Sequence, residues 1–356
     1  MELLIVNHRD PFHPKAGGAE HDLYETARRL VKRGVEVAWL SEEVRGRPKE
    51  EELDGIKLIR RGNEFTLHLY APLEARKHEM VMDSIAHAVP FLSFLTNDCT
   101  FAKIHHVHQE VVKHELSPLM AFAVRQAEKL SKFYRKVVVP SNATKRDAIA
   151  MLRIPEERIT VIPEGIDLDK YRPGDKSEEP FILWLHRAKK YKNPFKAIEA
   201  FELARSMGLK KDVKLVMAGG GDLEPQLREE VKKHDGVVYL GKVSEEEKLK
   251  LLRSAWLFLS TSFIEGWGLS VLEASASGTP TIAFAVGGLN DVIKDGVNGW
   301  LVEYGDVQGM ARKIVEVFSD EGTLKRAWES SRREAEKYSW DRTAEEFYQY
   351  LKKMEC

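Results

Sequence analysis

The chain has 356 residues, of which 43% are hydrophobic and 31% charged, and a formal net charge of −1. This length predicts about two domains, and the near-neutral charge gives no electrostatic argument for a nucleic-acid partner. Two cysteines, Cys99 and Cys356, are too few for a disulfide framework or a cysteine metal cluster. We therefore expect a reducing, cytoplasmic compartment. No apolar run approaches the roughly 18 residues of a membrane span.

The N-terminal segment predicts a β-loop-α-β unit. An apolar strand at 3–6 leads into a glycine-containing loop, a helix with one apolar face, and a second strand at 35–40. Gly17 and Gly18 lie at the tight turn from strand to helix. Glycine serves such a turn sterically, but it also lets a phosphate or sugar approach the backbone. Both interpretations stay open on local grounds.

Three histidines, His105, His106 and His108, follow a predicted strand near 102–108. Close histidines are typical zinc ligands, but no cysteine or matching carboxylate pattern accompanies them. A histidine at the carboxyl end of a strand, facing a cleft, suits contact with a bound substrate, and we favour that interpretation over zinc.

Residues 120–136 predict an amphipathic helix with a basic polar side. The cations on that side are Arg125, Lys129, Lys132, Arg135 and Lys136. A solvated helix face is the favoured interpretation, and peripheral contact with the inner face of a membrane is the alternative.

The stretch 163–180 contains prolines and glycines without periodicity and predicts a domain boundary. We expect an N-terminal domain over 1–168, a second domain over 169–335, and a C-terminal helix over 336–356 that packs back toward the first domain. From 181 onward, strand and helix patterns alternate regularly, which predicts a parallel sheet covered by helices.

Two carboxylates, Glu265 and Glu273, flank the start of a predicted short helix in this second half. They lie eight positions apart, the first in the loop after a strand and the second within the helix. A helix N-terminus offers free N–H groups and a partial positive charge, which suit a phosphate. Arg187 and Lys192 follow the first strand of the same half. Because ligands bind at the carboxyl ends of parallel strands, these cations can reach a phosphate there.

Taken together, these motifs resemble the retaining glycosyltransferases of the GT-B fold, the glycosyltransferase family 4-like or group 1 enzymes. Glu265 and Glu273 match the Glu-x7-Glu signature, with the following Ala-Ser-Ala-Ser-Gly-Thr-Pro. The segment 161–167 resembles Ile-Pro-Asn-Gly-Val-Asp, with Glu164 in place of Asn. Arg187 and Lys192 fit an Arg…Lys pattern, although His186 replaces the usual glycine. The resemblance covers nearly the whole chain and is strongest over 159–303.

The resemblance implies two Rossmann-like parallel-sheet domains facing each other across a nucleotide-sugar cleft. It implies a retaining, metal-independent hexosyltransferase that needs no cofactor besides its nucleoside-diphosphate sugar, of the GDP-mannose or UDP-glucose/GlcNAc type, and uses a glycan or lipid-linked acceptor. The implied catalytic residues are Arg187, Lys192, Glu265 and His108. The implied donor-binding residues are Gly17, Gly18, Gly219, Val243, Glu265, Gly266, Trp267, Gly268, Leu269, Ser270 and Glu273.

Three other possibilities remain at this point. Another GT-B enzyme, such as a nucleotide-sugar epimerase, would share the motifs, and so would a sugar-nucleotide-binding protein that lacks catalysis. Asp167 and Asp169 form the Asp-x-Asp pattern with which glycosyltransferases of another fold bind Mg²⁺ or Mn²⁺. We interpret it as a chance occurrence, because it lies in a turn-rich linker.

Overall fold

The computed structural model describes residues 1–354, and every side chain among them except those of residues 114 and 115. Two compact units divide the chain: residues 1–165 together with 340–356, and residues 166–339. The predicted boundaries at 168 and 335 fall within a few residues of these limits. No helix among the described residues has both the length and the apolar character that a membrane crossing requires.

The first unit is built on an eight-stranded sheet in the order β3-β4-β2-β1-β5-β6-β7-β8. Only the β3–β4 pair is antiparallel. Its elements are β1 (Glu2–Val6), α1 (Gly18–Lys32), β2 (Glu36–Ser41), β3 (Glu50–Leu53), β4 (Ile56–Arg60), α2 (Leu67–Ala75), β5 (Met80–Ile85), β6 (Thr100–Ile104), α3 (Val111–Glu115), α4 (Pro118–Glu128), β7 (Val137–Val139), α5 (Asn142–Leu152) and β8 (Ile159–Val161).

The second unit has a six-stranded, fully parallel sheet in the order β11-β10-β9-β12-β13-β14. Its elements are β9 (Phe181–Leu185), α6 (Pro194–Ser206), β10 (Lys214–Ala218), α7 (Glu224–Glu230), β11 (Val237–Tyr239), α8 (Glu245–Ser254), β12 (Leu257–Ser260), α9 (Leu269–Ala276), β13 (Thr281–Phe284), α10 (Leu289–Val292), β14 (Gly299–Val302), α11 (Val307–Ser319) and α12 (Glu321–Ala335).

Helix packing explains why both sheets consist of nearly continuous apolar runs. Parallel strands joined by crossover helices are covered on both faces, and every residue of β5, β6, β12 and β13 is buried. The last helix, α13 (Trp340–Lys352), packs on α1 within the first unit, where Phe347 and Leu351 share a core with Leu23.

Helix α4 differs from the sequence prediction. The α-helix spans Pro118–Glu128, and a 3₁₀ turn, Lys129–Phe133, replaces the rest of the expected helix. Its solvent side carries the large apolar side chains of Leu119 and Phe122 besides the exposed cations Lys132 and Arg135, so the exposed surface is apolar as well as basic. The carboxylate of Glu128 faces inward, where polar groups from another loop bind it.

The cysteines also differ from expectation. Cys99 is buried and disulfide-bonded, and none of the cysteines among residues 1–354 is free. The count of two cysteines led us to expect a reducing compartment, and the bonded Cys99 does not support that expectation; Cys356 lies outside the described residues.

Candidate functional site

The connectivity of the second sheet places a binding crevice between two particular strands. From β9 the chain moves outward through β10 to β11, and it then returns to β12, which pairs directly with β9, and continues outward on the other side. Such a reversal of strand order opens a crevice at the carboxyl ends of the two central strands. The loops that leave them are 186–193 and 261–268, which carry Arg187, Lys192 and Glu265.

Lys192 and Glu265 form an ion pair across this crevice. The Lys192 ammonium contacts Glu265 Oε1, and the Ser262 hydroxyl donates to the same oxygen at 2.8 Å. The two loops are also joined at the backbone, since the Thr261 hydroxyl donates to the Lys192 carbonyl at 2.9 Å. Burial favours the neutral amine, but the Glu265 carboxylate outweighs it and raises the pKa of Lys192. The ammonium therefore stays charged in the crevice.

The neighbouring Arg187 is exposed, whereas His186 beside it is buried. His186 Nδ1 lies 3.2 Å from the Ser270 hydroxyl at the start of α9. Burial, assisted by the charge of Lys192, holds the pKa of His186 well below its usual range. The histidine that replaces the expected glycine is thus a neutral ring that joins the β9 loop to the helix, and its contact with Ser270 could not be inferred from the sequence.

The loop before α9 delivers the helix N-terminus to the crevice. Gly268 has a φ of +103°, which only glycine adopts without strain, and it starts the helix at Leu269. The N–H groups of Leu269 and Ser270 have no acceptor within the helix because they belong to its first turn. Trp267 is buried, with its ring 5.1 Å from that of Tyr338, and it anchors the loop.

Glu273 is bound by side chains that the sequence did not single out. The Tyr171 hydroxyl donates to Glu273 Oε1 at 2.8 Å, and the Lys248 ammonium donates to the same oxygen at 2.7 Å. Burial, followed by the carboxylates of Glu273 and Glu245, raises the pKa of the Tyr171 phenol, which remains a donor. The lysine balances the charge of Glu273. Tyr171 and Lys248 had no recognisable signal in the sequence, because both come from elements remote from the motif.

The loops after β10 and β11 meet beside the same crevice. The Gly219 N–H donates to the Gly241 carbonyl at 2.7 Å, and the Tyr239 hydroxyl donates to the Gly219 carbonyl at 2.6 Å. A Cβ on Gly219 would lie 1.8 Å from the His186 carbonyl oxygen, so no larger residue fits there. Val243 is half-buried two residues beyond Gly241.

The glycine loop of the first unit contains a carboxylate of its own. The Gly17 N–H donates to Glu20 Oε2 at 2.7 Å, and the Asn7 amide donates to Glu20 Oε1 at 3.0 Å. Gly18 begins α1. The Glu20 carboxylate therefore already accepts from the Gly17 N–H at the N-terminus of α1, and an incoming anion would have to compete with this carboxylate.

His108 is buried and has a partner at each ring nitrogen. Nδ1 lies 3.1 Å from Glu128 Oε1, and Nε2 lies 3.2 Å from the Ala86 carbonyl oxygen. The backbone N–H of His108 donates to the same Glu128 oxygen at 2.6 Å, and the Gln109 amide donates to Oε2 at 2.7 Å. Glu128 thus positions His108, a role that charge patterning along the basic helix did not indicate.

His105 faces a different set of groups, so the three neighbouring histidines do not converge on one point. Ligand atoms of His105, Asp22 and Glu164 lie within 4.8 Å of one another, and all three residues are buried. The Lys103 ammonium lies 2.5 Å from Asp22 Oδ2 and already brings a cation to this cluster. Burial lowers the pKa of His105 to about 4. Glu164, the departure from the family's asparagine, belongs to this buried network.

Asp167 has a local structural role. Its Oδ1 accepts hydrogen bonds from the N–H groups of Asp169, at 3.1 Å, and Lys170, at 2.9 Å. An aspartate that binds backbone groups two and three residues ahead stabilises a turn, which gives Asp167 a structural role in this linker.

Two sequence profiles of known protein families match this chain. The sequence profile described as Glycosyl transferases group 1 matches residues 166–335, and the profile described as Glycosyltransferase Family 4 matches residues 16–170. The chain belongs to these glycosyltransferase families. The glycosyltransferase family predicted from the Glu-x7-Glu motif is confirmed, and retention of configuration stays a prediction.

Similarity to individual proteins is more distant. The D-inositol 3-phosphate glycosyltransferase of Mycolicibacterium smegmatis is 31% identical over 225 residues, which cover 59% of this chain and 51% of that protein. The chain spans about half the length of the first curated relatives that it matches.

Solved structures show the fold. Sucrose-phosphate synthase from Thermosynechococcus elongatus has a TM-score of 0.80 at 20% identity, covering 99% of this chain and 98% of that one. Anabaena HepE, solved in complex with UDP-glucose, has a TM-score of 0.80 at 18% identity, covering 99% of this chain and 100% of the other. The predicted fold class, GT-B with two Rossmann-like parallel-sheet domains, is confirmed.

Proposed function

We propose that this glycosyltransferase family member transfers a hexose from a nucleoside-diphosphate sugar to a glycan or lipid-linked acceptor. The observation that carries the proposal is the pairing of Lys192 with Glu265 at the switch point of the second sheet, beside the N-terminus of α9. A cation, a carboxylate and free N–H groups within one crevice match a ligand that has both phosphates and hydroxyls.

The chemistry follows from the charge that develops on the leaving group. As the bond from sugar to diphosphate breaks, negative charge grows on the phosphate oxygens. Lys192, which stays protonated in the crevice, and Arg187 on the same loop would neutralise that charge, assisted by the first N–H groups of α9. Fixed donors of this kind contribute about 10²–10³ in rate each. Two protein cations supply the neutralisation for which other enzymes use a metal ion, and we propose a metal-independent reaction.

The carboxylates would bind hydroxyls rather than phosphates. Glu265 would accept hydrogen bonds from the donor sugar, with the backbone of Gly266, Trp267 and Gly268 alongside. Glu273 has one oxygen engaged by Tyr171 and Lys248, and its other oxygen would accept from the ribose. Gly219 and the loop over residues 241–243, which ends at Val243, would contact the base.

Gly17, Gly18 and His108 remain proposed ligand-contacting residues of the first unit. Retention of the anomeric configuration is likewise part of the proposal and follows from the family resemblance. The proposed donor is GDP-mannose or UDP-glucose/GlcNAc, and similarity to the D-inositol 3-phosphate glycosyltransferase of Mycolicibacterium smegmatis makes inositol 3-phosphate a useful test acceptor.

The test combines ligand binding with turnover. UDP, GDP and ADP are added separately in a thermal-unfolding assay, where the cognate nucleotide at 100 times its Kd should stabilise the protein by about 2.7 kcal/mol. The corresponding nucleotide-sugar is then assayed with inositol phosphate and glycan acceptors, with and without EDTA. Arg187→Ala should lower turnover by roughly 10²-fold. Lys325→Ala, which removes an exposed cation from α12, is the matched control.

Each result separates the candidate functions. Acceptor-dependent product that survives EDTA supports the transferase, whereas full loss restored by Mn²⁺ contradicts metal independence. Release or epimerisation of the sugar without any acceptor would instead favour an epimerase. Nucleotide stabilisation without turnover of any sugar would indicate a binding protein.

A further inference from the structure

His186 stands at a position beside the crevice where the family pattern has a glycine, directly before Arg187. Its side chain is buried, and its ring lies edge-to-face between two aromatic rings. The ring centroid of Trp184 is 5.1 Å away, and that of Phe258 is 5.2 Å away. Edge-to-face packing of this kind favours one orientation of a ring. The two central strands, β9 and β12, therefore hold the imidazole in place.

The orientation of this ring directs Nδ1 to the start of α9. Nδ1 lies 3.2 Å from the hydroxyl of Ser270, which belongs to the first turn of the helix. The first N–H groups of a helix have no acceptor within it, and the N-cap residue, Gly268, has no side chain that could bind them. The hydrogen bond thus joins the β9 loop, which carries Lys192, to the helix end that carries these N–H groups. A glycine at 186 could not make this contact.

The contact adds no charge to the crevice. Burial, followed by the charge of Lys192, keeps the pKa of His186 well below its usual range, so the ring is neutral beside the Lys192 ammonium. A neutral imidazole has one nitrogen that donates and one that accepts, and either can pair with a hydroxyl. A lysine or arginine at 186 would instead repel Lys192, and an aliphatic residue would deprive Ser270 of this partner.

We propose that His186 is a positioning residue for nucleotide binding, which holds Ser270, and with it the N-terminus of α9, beside Lys192 where the diphosphate would bind. The inference rests on the proposed function and says how this chain fixes its diphosphate site. Groups that are fixed before binding need not be ordered when the ligand arrives. The usual net contribution of one hydrogen bond corresponds to about 2- to 12-fold in a dissociation constant.

Matched substitutions separate the role of the nitrogen from that of the ring. His186→Phe keeps an aromatic ring between Trp184 and Phe258 but removes Nδ1, whereas His186→Asn keeps a polar atom near the position of Nδ1. The probe is whichever of UDP, GDP and ADP stabilises the wild type. We expect its Kd to rise about 2- to 12-fold in His186→Phe and to stay closer to the wild-type value in His186→Asn. In a Ser270→Ala background, His186→Phe should weaken binding no further, because its partner is already absent.

His234→Phe is the control, since it makes the same exchange in the same unit. His234 precedes β11 and therefore lies at the amino end of the sheet, opposite the crevice. This variant should bind the nucleotide like the wild type, and unfolding midpoints show which variants are folded. A second measurement needs no histidine variant: the ¹⁵N signals of the His186 ring should shift when the nucleotide is added, and Ser270→Ala should abolish that shift.

The outcomes distinguish this inference from the proposed function. Wild-type affinity in a folded His186→Phe variant would overturn the inference alone, and so would an equal loss of affinity in the Ser270→Ala background. Ring signals that do not respond to a nucleotide which binds the wild type would also overturn it alone. If no nucleotide binds the wild type, the proposed function fails and the inference fails with it.

Discussion

The Lys192–Glu265 pair gives the sharpest prediction. Three variants are compared with the wild type: Lys192→Met, Glu265→Gln and the double substitution. Lys192 is buried and the Glu265 side chain is 12% exposed, so removal of the lysine leaves a largely desolvated carboxylate whose remaining side-chain partner among the described residues is the Ser262 hydroxyl. Breaking one partner of a buried ion pair costs about 3–5 kcal/mol, because the remaining charge stays desolvated.

For a unit of 150–250 residues, a loss of about 3 kcal/mol lowers the melting temperature by roughly 6–12 °C. Each single variant should therefore show a large drop in calorimetry. The double variant should lose less than the two single losses combined, by roughly 1–3 kcal/mol, because it leaves no unpaired charge. Lys214→Met, which disrupts an exposed pair with Glu179, should change the midpoint little.

Additive losses, within about 0.5 kcal/mol, would refute the reasoning, since independent sites behave in that way. The same three variants also help to distinguish a catalytic effect from a loss of stability in the activity assays. If the double variant regains stability but not turnover, the loss of turnover belongs to the missing cation and carboxylate rather than to a damaged fold.

Two further predictions concern the second unit. Burial lowers the pKa of Lys176 to about 7, below the 10.5 of an unfolded lysine. Between about pH 7 and 10 the unfolded chain therefore binds a proton that the folded protein does not, and the free energy of unfolding should rise with pH by as much as about 4 kcal/mol. Lys176→Met should flatten that rise. Equal slopes in urea titrations of both proteins across this range would contradict the burial argument. Gly219→Ala should destabilise the protein by about 3 kcal/mol or more, since its Cβ would overlap the His186 carbonyl oxygen. Gly208→Ala, also at positive φ but with open space around it, should cost only about 1 kcal/mol, and similar losses for both would show that the contact is unimportant.

Much of the fold could be predicted from local patterns. Apolar runs separated by helical patterns indicated crossover-connected parallel strands, and a local pattern, the capping box of Ser244 and Glu247, starts α8. The Glu-x7-Glu motif located the loop and helix of the crevice, because all of its residues lie within one short stretch. These features could be predicted because each depends only on residues that are close together along the chain.

Contacts between remote segments could not be predicted in this way. Tyr171 and Glu273 are separated by 102 positions, and no periodicity connects them. The inward side of α4 is a second example: the sequence shows the cations of this helix, but only the contacts of the buried Glu128 with His108 and Gln109 show which side turns inward.

The sequence by itself determined the family, the two α/β units and the residue types available to a nucleotide-sugar. Only the tertiary structure decided that Lys192 meets Glu265 across 73 positions and that Glu273 is bound by Tyr171 and Lys248. The physical reason is strand order. The chain leaves β9, builds one side of the sheet and returns to β12 beside it, and hydrogen bonding between those two strands brings the cation and the carboxylate into the same crevice.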